Sequence, residues 1–148
     1  MSQESGSKGR SSSVSVLDTG YWNTYYKNVG SVDAPSRFTE FCQNKLFSRQ
    51  SFNVFEAGCG NGRDANYFGN DGHRVTAIDQ SEEVINANIA GLENDVSVEY
   101  KAGDFVALLS DSLEQYDVIY SRFTMHAISS CQQSLFLSAC LNALKPKG

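Results

Sequence analysis

A chain of 148 residues with 41% hydrophobic content can close one hydrophobic core and is too apolar for a disordered segment. Its formal net charge of −5, from 12 basic and 17 acidic residues, weighs against non-specific nucleic-acid binding, which needs a basic surface. No apolar run approaches the roughly 18 residues that cross a membrane.

In chain order, residues 1–17 have neither the apolar stretch nor the cleavage pattern of a signal peptide and are expected to form a flexible tail. Residues 18–50 are expected to form a short helical cap. Its first part, "TGYWNTYYKN", is rich in aromatics: Tyr21, Trp22, Tyr25 and Tyr26. Two readings stay open for them, packing against a core or a lid over a small-molecule site. "SVDAPSRFTEFCQNKL" reads as a turn and a helix, with Pro35 in the first turn and Phe38, Phe41, Cys42 and Leu46 on one face.

From residue 51 the pattern alternates. "FNVFEAG" is a short, bounded, β-prone apolar run, so a buried strand is predicted. "GRDANYFGNDG" reads as a helix, "HRVTAID" as a second strand and "SEEVINANIAGL" as a second helix with Ser81 as its cap. "VSVEYKAGD" gives a third strand, "FVALLSDSL" a short helix, and "YDVIYSRF" a fourth strand. "CQQSLFLSACLNAL" closes with a helix whose apolar stripe is Leu135, Cys140, Leu141 and Leu144. Strand and helix alternating four times predict an α/β fold: a Rossmann-like parallel sheet with flanking helices.

The four cysteines, Cys42, Cys59, Cys131 and Cys140, follow no metal-ligand spacing, and two histidines do not complete one. Free thiols and a cytoplasmic location are the expectation, with no metal.

The informative stretch is "FEAGCGNGRDA". Gly58, Gly60 and Gly62 follow the first strand and open a helix, where amides attract an anionic group and the backbone can approach a ligand closely. Arg63 stands where the nicotinamide fingerprint needs its third glycine, and no Gly-Lys-Ser/Thr ending marks a phosphate loop. Glu56, Asp79 and Asp104 fall at the carboxyl ends of three predicted strands, which in a parallel sheet form one rim. Three carboxylates repel a phosphate. They suit a ligand with hydroxyls, an amine and a positive centre, and S-adenosylmethionine has that chemistry.

"VFEAGCGNGRD", "VTAIDQS", "KAGDF" and "YDVIYSRFTMHAI" together resemble the class I S-adenosylmethionine-dependent methyltransferases, over about residues 50–148. "YWNTYYKN" with "PSRF" is similar to the amino-terminal cap of small-molecule members. The resemblance implies that Glu56, Gly58, Gly60 and Gly62 hold the methionine part, with Cys59 inside the loop and Tyr21 joining from the cap. It implies that Asp79 takes the ribose hydroxyls, that Gln80 lies beside the adenine, that Asp104 accepts from the adenine amino group, and that Phe105 packs near its ring. Ser121 and Arg122 would face the methyl group.

Transfer would go to O or N of a small-molecule acceptor, with S-adenosylhomocysteine as product. His126 is then the candidate general base, against a packing role. Arg122 either holds an anionic acceptor or pairs with a carboxylate such as Asp104. Asp64 reads as a favourable helix-start charge, Asp117 as structural, and His73 as exposed.

In the family, "LKPGG" introduces a fifth strand, whereas this sequence closes on "LKPKG". A sheet truncated after four strands, in the order 3-2-1-4, is therefore expected. Its fourth-strand edge would be open to a second copy or a partner chain. Two other functions compete: a cofactor-binding fragment without turnover, and an NAD(P)-dependent oxidoreductase. Membrane and nucleic-acid partners are not expected.

Overall fold

The computed structural model describes Thr24 and residues 34–47 and 50–148. The tail and the aromatics Tyr21, Trp22, Tyr25 and Tyr26 lie outside the described residues.

Four parallel strands, β1 (Asn53–Ala57), β2 (Arg74–Asp79), β3 (Val98–Ala102) and β4 (Val118–Ser121), form one sheet in the order β3-β2-β1-β4. This is the predicted order. β1 is central, and Val54 to Ala57 are all buried because helices cover both faces of the sheet. On one face Val54, Val75, Ala77, Tyr100 and Tyr120 pack with Cys42 of α1 (Arg37–Lys45), Ala65 and Phe68 of α2 (Arg63–Asn70) and Ile85 of α3 (Glu82–Ala90). On the other, Phe55, Ala57 and Ile78 meet Phe105 and Leu109 of α4 (Phe105–Ser110) and Phe136, Ala139 and Ala143 of α5 (Ser130–Ala143).

Side-chain capping explains several boundaries. Ser81 Oγ accepts from the Val84 amide at the start of α3, as the sequence implied, and Ser129 and Gln132 form a capping box on α5. Asp104 caps α4 through Val106 and Ala107. Asp117 has the structural role expected: it accepts from the Asn53 amide at 2.7 Å and from Lys145 at 2.9 Å, joining β1 and the end of the chain to β4.

Three expectations are corrected. Pro35 precedes the cap residue Ser36 and lies outside α1. The packed face of α1 carries Thr39 and Cys42, while Phe38, Phe41 and Leu46 are about half exposed or more. A buried carboxylate draws the hydroxyl side of that helix inward. On α5 the buried face is Phe136, Ala139 and Ala143, and Leu135 and Leu141 point outward. Small alanines let the helix sit close over α4 and the sheet.

His73 is also corrected, because it is 2% exposed. Its Nδ1 accepts from the Phe52 amide at 3.1 Å, its Nε2 lies 3.0 Å from Gln43 Oε1, and Phe47, Phe52 and Phe68 surround the ring. An accepting Nδ1 leaves the proton on Nε2, so the neutral imidazole fits both contacts.

β4 pairs along its length with β1 alone among the described residues. At its entry, Leu144 lies parallel beside Tyr116, and Lys145 N–H donates to Tyr116 O at 2.9 Å.

Candidate functional site

The bend after β1 is left-handed at each of its glycines: φ is 72° at Gly58, 53° at Gly60 and 73° at Gly62. At two of them space also demands glycine. A Cβ on Gly58 would stand 2.8 Å from Thr124 Oγ1, and one on Gly62 would stand 2.3 Å from the Tyr100 hydroxyl. The bend is thus a close-packed turn braced by neighbouring strands. Tyr100 Oη donates to Gly62 O at 3.2 Å, and Asn88 of α3 donates to Gly60 O at 2.8 Å.

Its amides are less available than the sequence implied. Gly58 and Cys59 N–H donate to Ile78 O, Gly62 N–H donates to Cys59 O, and Gly60 N–H donates to Asp79 Oδ2. The tight turn satisfies its own donors, so the bend offers close approach rather than an open row of N–H groups. Cys59 is buried, and burial followed by the nearby Glu56 pushes its thiol well up, which removes it as a nucleophile.

Glu56 is 3% exposed at the end of β1. Burial, then the neighbouring Asp64, pushes its carboxyl well above the usual range, against a smaller pull from Arg122. Its Oε2 has no hydrogen-bond partner, and the same is true of Ser121 Oγ at the end of β4. These are the two buried side-chain polar atoms left unpaired among the described residues, and they sit on adjacent strands at the carboxyl rim. Leaving such a group unpaired costs about 1–3 kcal/mol. The two point to opposite faces of the sheet, Glu56 in register with Tyr120 and Ser121 with Ala57.

Asp79 ends β2 and reaches the bend, accepting from Gly60 N–H at 2.9 Å and from Ser81 N–H at 3.0 Å. It therefore ties the second strand's tip to the glycine turn. Gln80 is half-buried beside it. Asp104 is exposed next to Gly103, whose N–H donates to Asp79 O at 2.9 Å, so both carboxylates belong to one rim. Asp104 Oδ1 takes both cap amides. Phe105 is 3% exposed and packs edge-on against Phe136, so its ring belongs to the core under α5 and presents no face at the rim. The helix that Asp104 caps turns the next side chain inward.

Asp64 is the residue whose importance the sequence reading missed. It is 3% exposed. It accepts from Ser36 N–H at 2.7 Å, Ser36 Oγ at 3.1 Å, Tyr120 Oη at 3.1 Å and Arg122 Nε at 3.2 Å. Burial works to raise its carboxyl, but the Ser36 amide, the Thr39 and Ser36 hydroxyls and Arg122 outweigh it and hold the group below the ordinary range. Arg122 therefore pairs with Asp64 and not with Asp104. An aspartate two residues into a helix looks like a dipole partner in sequence, and only the crossing of α1, α2 and β4 reveals the hub.

His126 is exposed in a single 3₁₀ turn, Met125–Ala127, with its ring edge toward Phe123 at 6.2 Å between centroids. Arg122 lies over the same Phe123 ring at 4.5 Å. Thr124 Oγ1 donates to Ala57 O at 2.9 Å, which fastens this turn to the tip of β1. Tyr21 lies outside the described residues.

The profile of a methyltransferase domain matches residues 54–148. Among curated relatives, the ubiquinone biosynthesis O-methyltransferase of Bordetella avium (strain 197N) is 30% identical over 110 residues, covering 74% of this chain and 45% of that protein. The chain thus spans somewhat under half the length of the curated relatives it matches. Among solved structures, a TehB-like SAM-dependent methyltransferase from Corynebacterium glutamicum superposes with a TM-score of 0.67 at 19% identity, covering 88% of this chain and 68% of that one. A 1,6-didemethyltoxoflavin-N1-methyltransferase from Burkholderia thailandensis also gives 0.67, at 24% identity and 86% and 56% coverage. At those identities the likeness is one of fold.

Proposed function

The chain belongs to the methyltransferase domain family, and on that premise we propose that it binds S-adenosylmethionine and serves methyl transfer to O or N of a small-molecule acceptor. The observation that carries this reading is the buried, unpartnered Glu56 Oε2 near the carboxyl end of the central strand, beside the glycine bend. A buried carboxyl with an unused oxygen gains a partner from a cationic amine, which favours its ionised form, whereas a pyrophosphate would disfavour that form further; this also speaks against the oxidoreductase reading.

The donor supplies a methyl group on a cationic sulfur. The chain's own residues then have separable roles. Glu56 accepts from the amine of the methionine part, and the bend at Gly58, Gly60 and Gly62 lets the backbone close on it. Asp79, already oriented by Gly60 and Ser81, accepts from the ribose hydroxyls. Gln80 and Asp104 line the adenine side. Ser121 faces the methyl-bearing end, and its hydroxyl gains a partner there. On the acceptor side Arg122 is fixed by Asp64, and His126 takes the acceptor's proton as a general base when that acceptor is a hydroxyl or an ammonium. Alignment and exclusion of water supply the rest.

Among the described residues no helix is long and apolar enough to cross a membrane. The acidic balance and free thiols support a cytoplasmic setting with small-molecule partners. The edge of β4 remains the surface where a partner chain or second copy would pair.

Calorimetric titration with S-adenosylmethionine, S-adenosylhomocysteine and NADH tests the proposal. Heat is expected with the first two and none with NADH. Asp79→Ala should weaken S-adenosylhomocysteine by at least tenfold, by loss of ribose contacts worth about 1.5–3 kcal/mol. Binding of NADH alone would sink the reading.

A further inference from the structure

Phe123 is the anomaly of the acceptor side. Its ring is 70% exposed and its backbone stands at φ 59°. A bulky L-residue seldom enters the left-handed region, because its Cβ crowds the backbone. Glu114 and Lys147 are the other described non-glycine residues with positive φ. Both sit near the opposite end of β4, where Glu114 N–H bonds to Asn142 O and Gly148 approaches Asp117. At the carboxyl rim the strain is confined to Phe123.

Neighbouring groups hold that conformation. Thr124 Oγ1 donates to Ala57 O at 2.9 Å and to Arg122 O at 3.2 Å, which fixes the turn on both sides of the ring. The Thr124 side chain also fills the space in front of Gly58, so the turn and the glycine bend are one packed unit. Arg122, anchored by Asp64, lays its guanidinium on one face of the ring at 4.5 Å, and the His126 ring stands nearly perpendicular to it, 6.2 Å away between centroids. The ring nevertheless remains 70% exposed. Backbone strain that the surroundings over-determine clusters at active sites and ligand clamps, and a phenyl so exposed adds little to the core.

We propose that Phe123 is a stacking platform that selects a flat, electron-rich aromatic methyl acceptor, a phenol or an aromatic amine. This rests on the methyltransferase reading and names the acceptor class for that same site. An aliphatic acceptor would need a concave apolar pocket. A largely exposed ring rewards another ring, in offset-stacked or edge-to-face geometry. The guanidinium on the far face draws electron density through the ring, which favours an electron-rich partner. The candidate base His126 stands beside the platform, within reach of a hydroxyl or amine on a stacked ring.

The test is a ligand-observed NMR titration of the full chain with catechol and indole, against their saturated counterparts cyclohexane-1,2-diol and octahydroindole. Each is run with and without saturating S-adenosylhomocysteine. The aromatic probes should bind about three- to tenfold more tightly than the saturated ones, the scale of a stacking contact. Phe123→Gly should erase that margin, and Phe123→Tyr should keep it. Because glycine suits a positive φ, Phe123→Gly should not lower the thermal midpoint. Equal binding of aromatic and saturated probes overturns the proposal. So does aromatic binding that survives Phe123→Gly, and so does a Phe123→Gly variant that melts earlier, which would make the ring a packing element. Failure of S-adenosylhomocysteine to bind the wild-type chain overturns the methyltransferase reading instead, and the titrations without it still decide the stacking question.

Discussion

Glu56 sets stability against the proposed cofactor binding in one side chain. Its carboxyl is raised by burial and by Asp64, so the folded state prefers it neutral. A group whose folded pKa lies above its unfolded value of 4.5 contributes stability below that pH and loses it as pH rises. Each pH unit climbed between the unfolded and folded values removes about 1.4 kcal/mol. Glu56→Gln should therefore raise the thermal midpoint of the ligand-free protein at pH 7.5 and change it little at pH 4. The same substitution should weaken S-adenosylhomocysteine by tenfold or more, because the amine loses its anionic partner. Melting curves at both pH values, with and without the ligand, check this; a variant no more stable than wild type at pH 7.5 contradicts it. Gly58 is subject to a steric demand instead. Gly58→Ala must hold a Cβ at φ 72° and 2.8 Å from Thr124 Oγ1. It should destabilise by about 2 kcal/mol in urea unfolding and abolish cofactor binding.

At the scale of elements, one carboxylate decides how α1 sits. Asp64 in α2 accepts from Ser36 at the start of α1, from Tyr120 of β4 and from Arg122 beyond it. Thr39 Oγ1 lies 2.8 Å from Tyr120 Oη, completing the hub, and burial pushes the tyrosine up to about 12, so it remains a donor. α1 is thereby held through its hydroxyl side, which explains why Phe38 and Phe41 stay exposed on an amphipathic helix. Asp64→Ala strands a part-buried arginine nitrogen, the Ser36 amide and two hydroxyls and should cost about 1–3 kcal/mol. Amide exchange over 37–45 should then quicken more than over β1 and β2. Uniform quickening throughout would mean that α1 is not separately anchored. Asp64→Asn keeps the shape without the charge and should fall between the two. Loss of Asp64 should also release Arg122, so acceptor turnover should fall more than cofactor affinity does.

For the molecule as a whole, acid stability and the layout of the site follow from which polar groups the fold encloses. His73 is held neutral in an aromatic cage, and burial lowers its pKa below the ordinary 6.5. A base whose folded pKa is depressed contributes stability above its unfolded pKa and loses it as pH falls toward the folded value. The midpoint should therefore decline from about pH 6.5 downward, and His73→Phe should flatten that slope in scans from pH 7.5 to 5. An unchanged slope would place the acid sensitivity elsewhere. None of this was readable at "GHRV", where a histidine between glycine and arginine resembles a surface residue. The cage exists only when Phe47, Phe52 and Phe68, distant in sequence, converge on it. The sheet order, the glycine bend and the placement of Glu56, Asp79 and Asp104 on one rim were legible, because strand period, helix caps and parallel crossovers are local or nearly local rules. The inward turn of Phe105, the pairing of Arg122 with Asp64, the internal bonding of the loop amides and the strained exposure of Phe123 were not. Each depends on which groups meet across the sheet, and that choice is made by burial: a carboxylate, an imidazole or a phenyl ring takes its role from the partners that packing brings within a few ångströms. Local patterning sufficed for the scaffold and the acidic rim, whereas long-range packing settled which polar atoms of the described residues found partners and which, Glu56 Oε2 and Ser121 Oγ, did not.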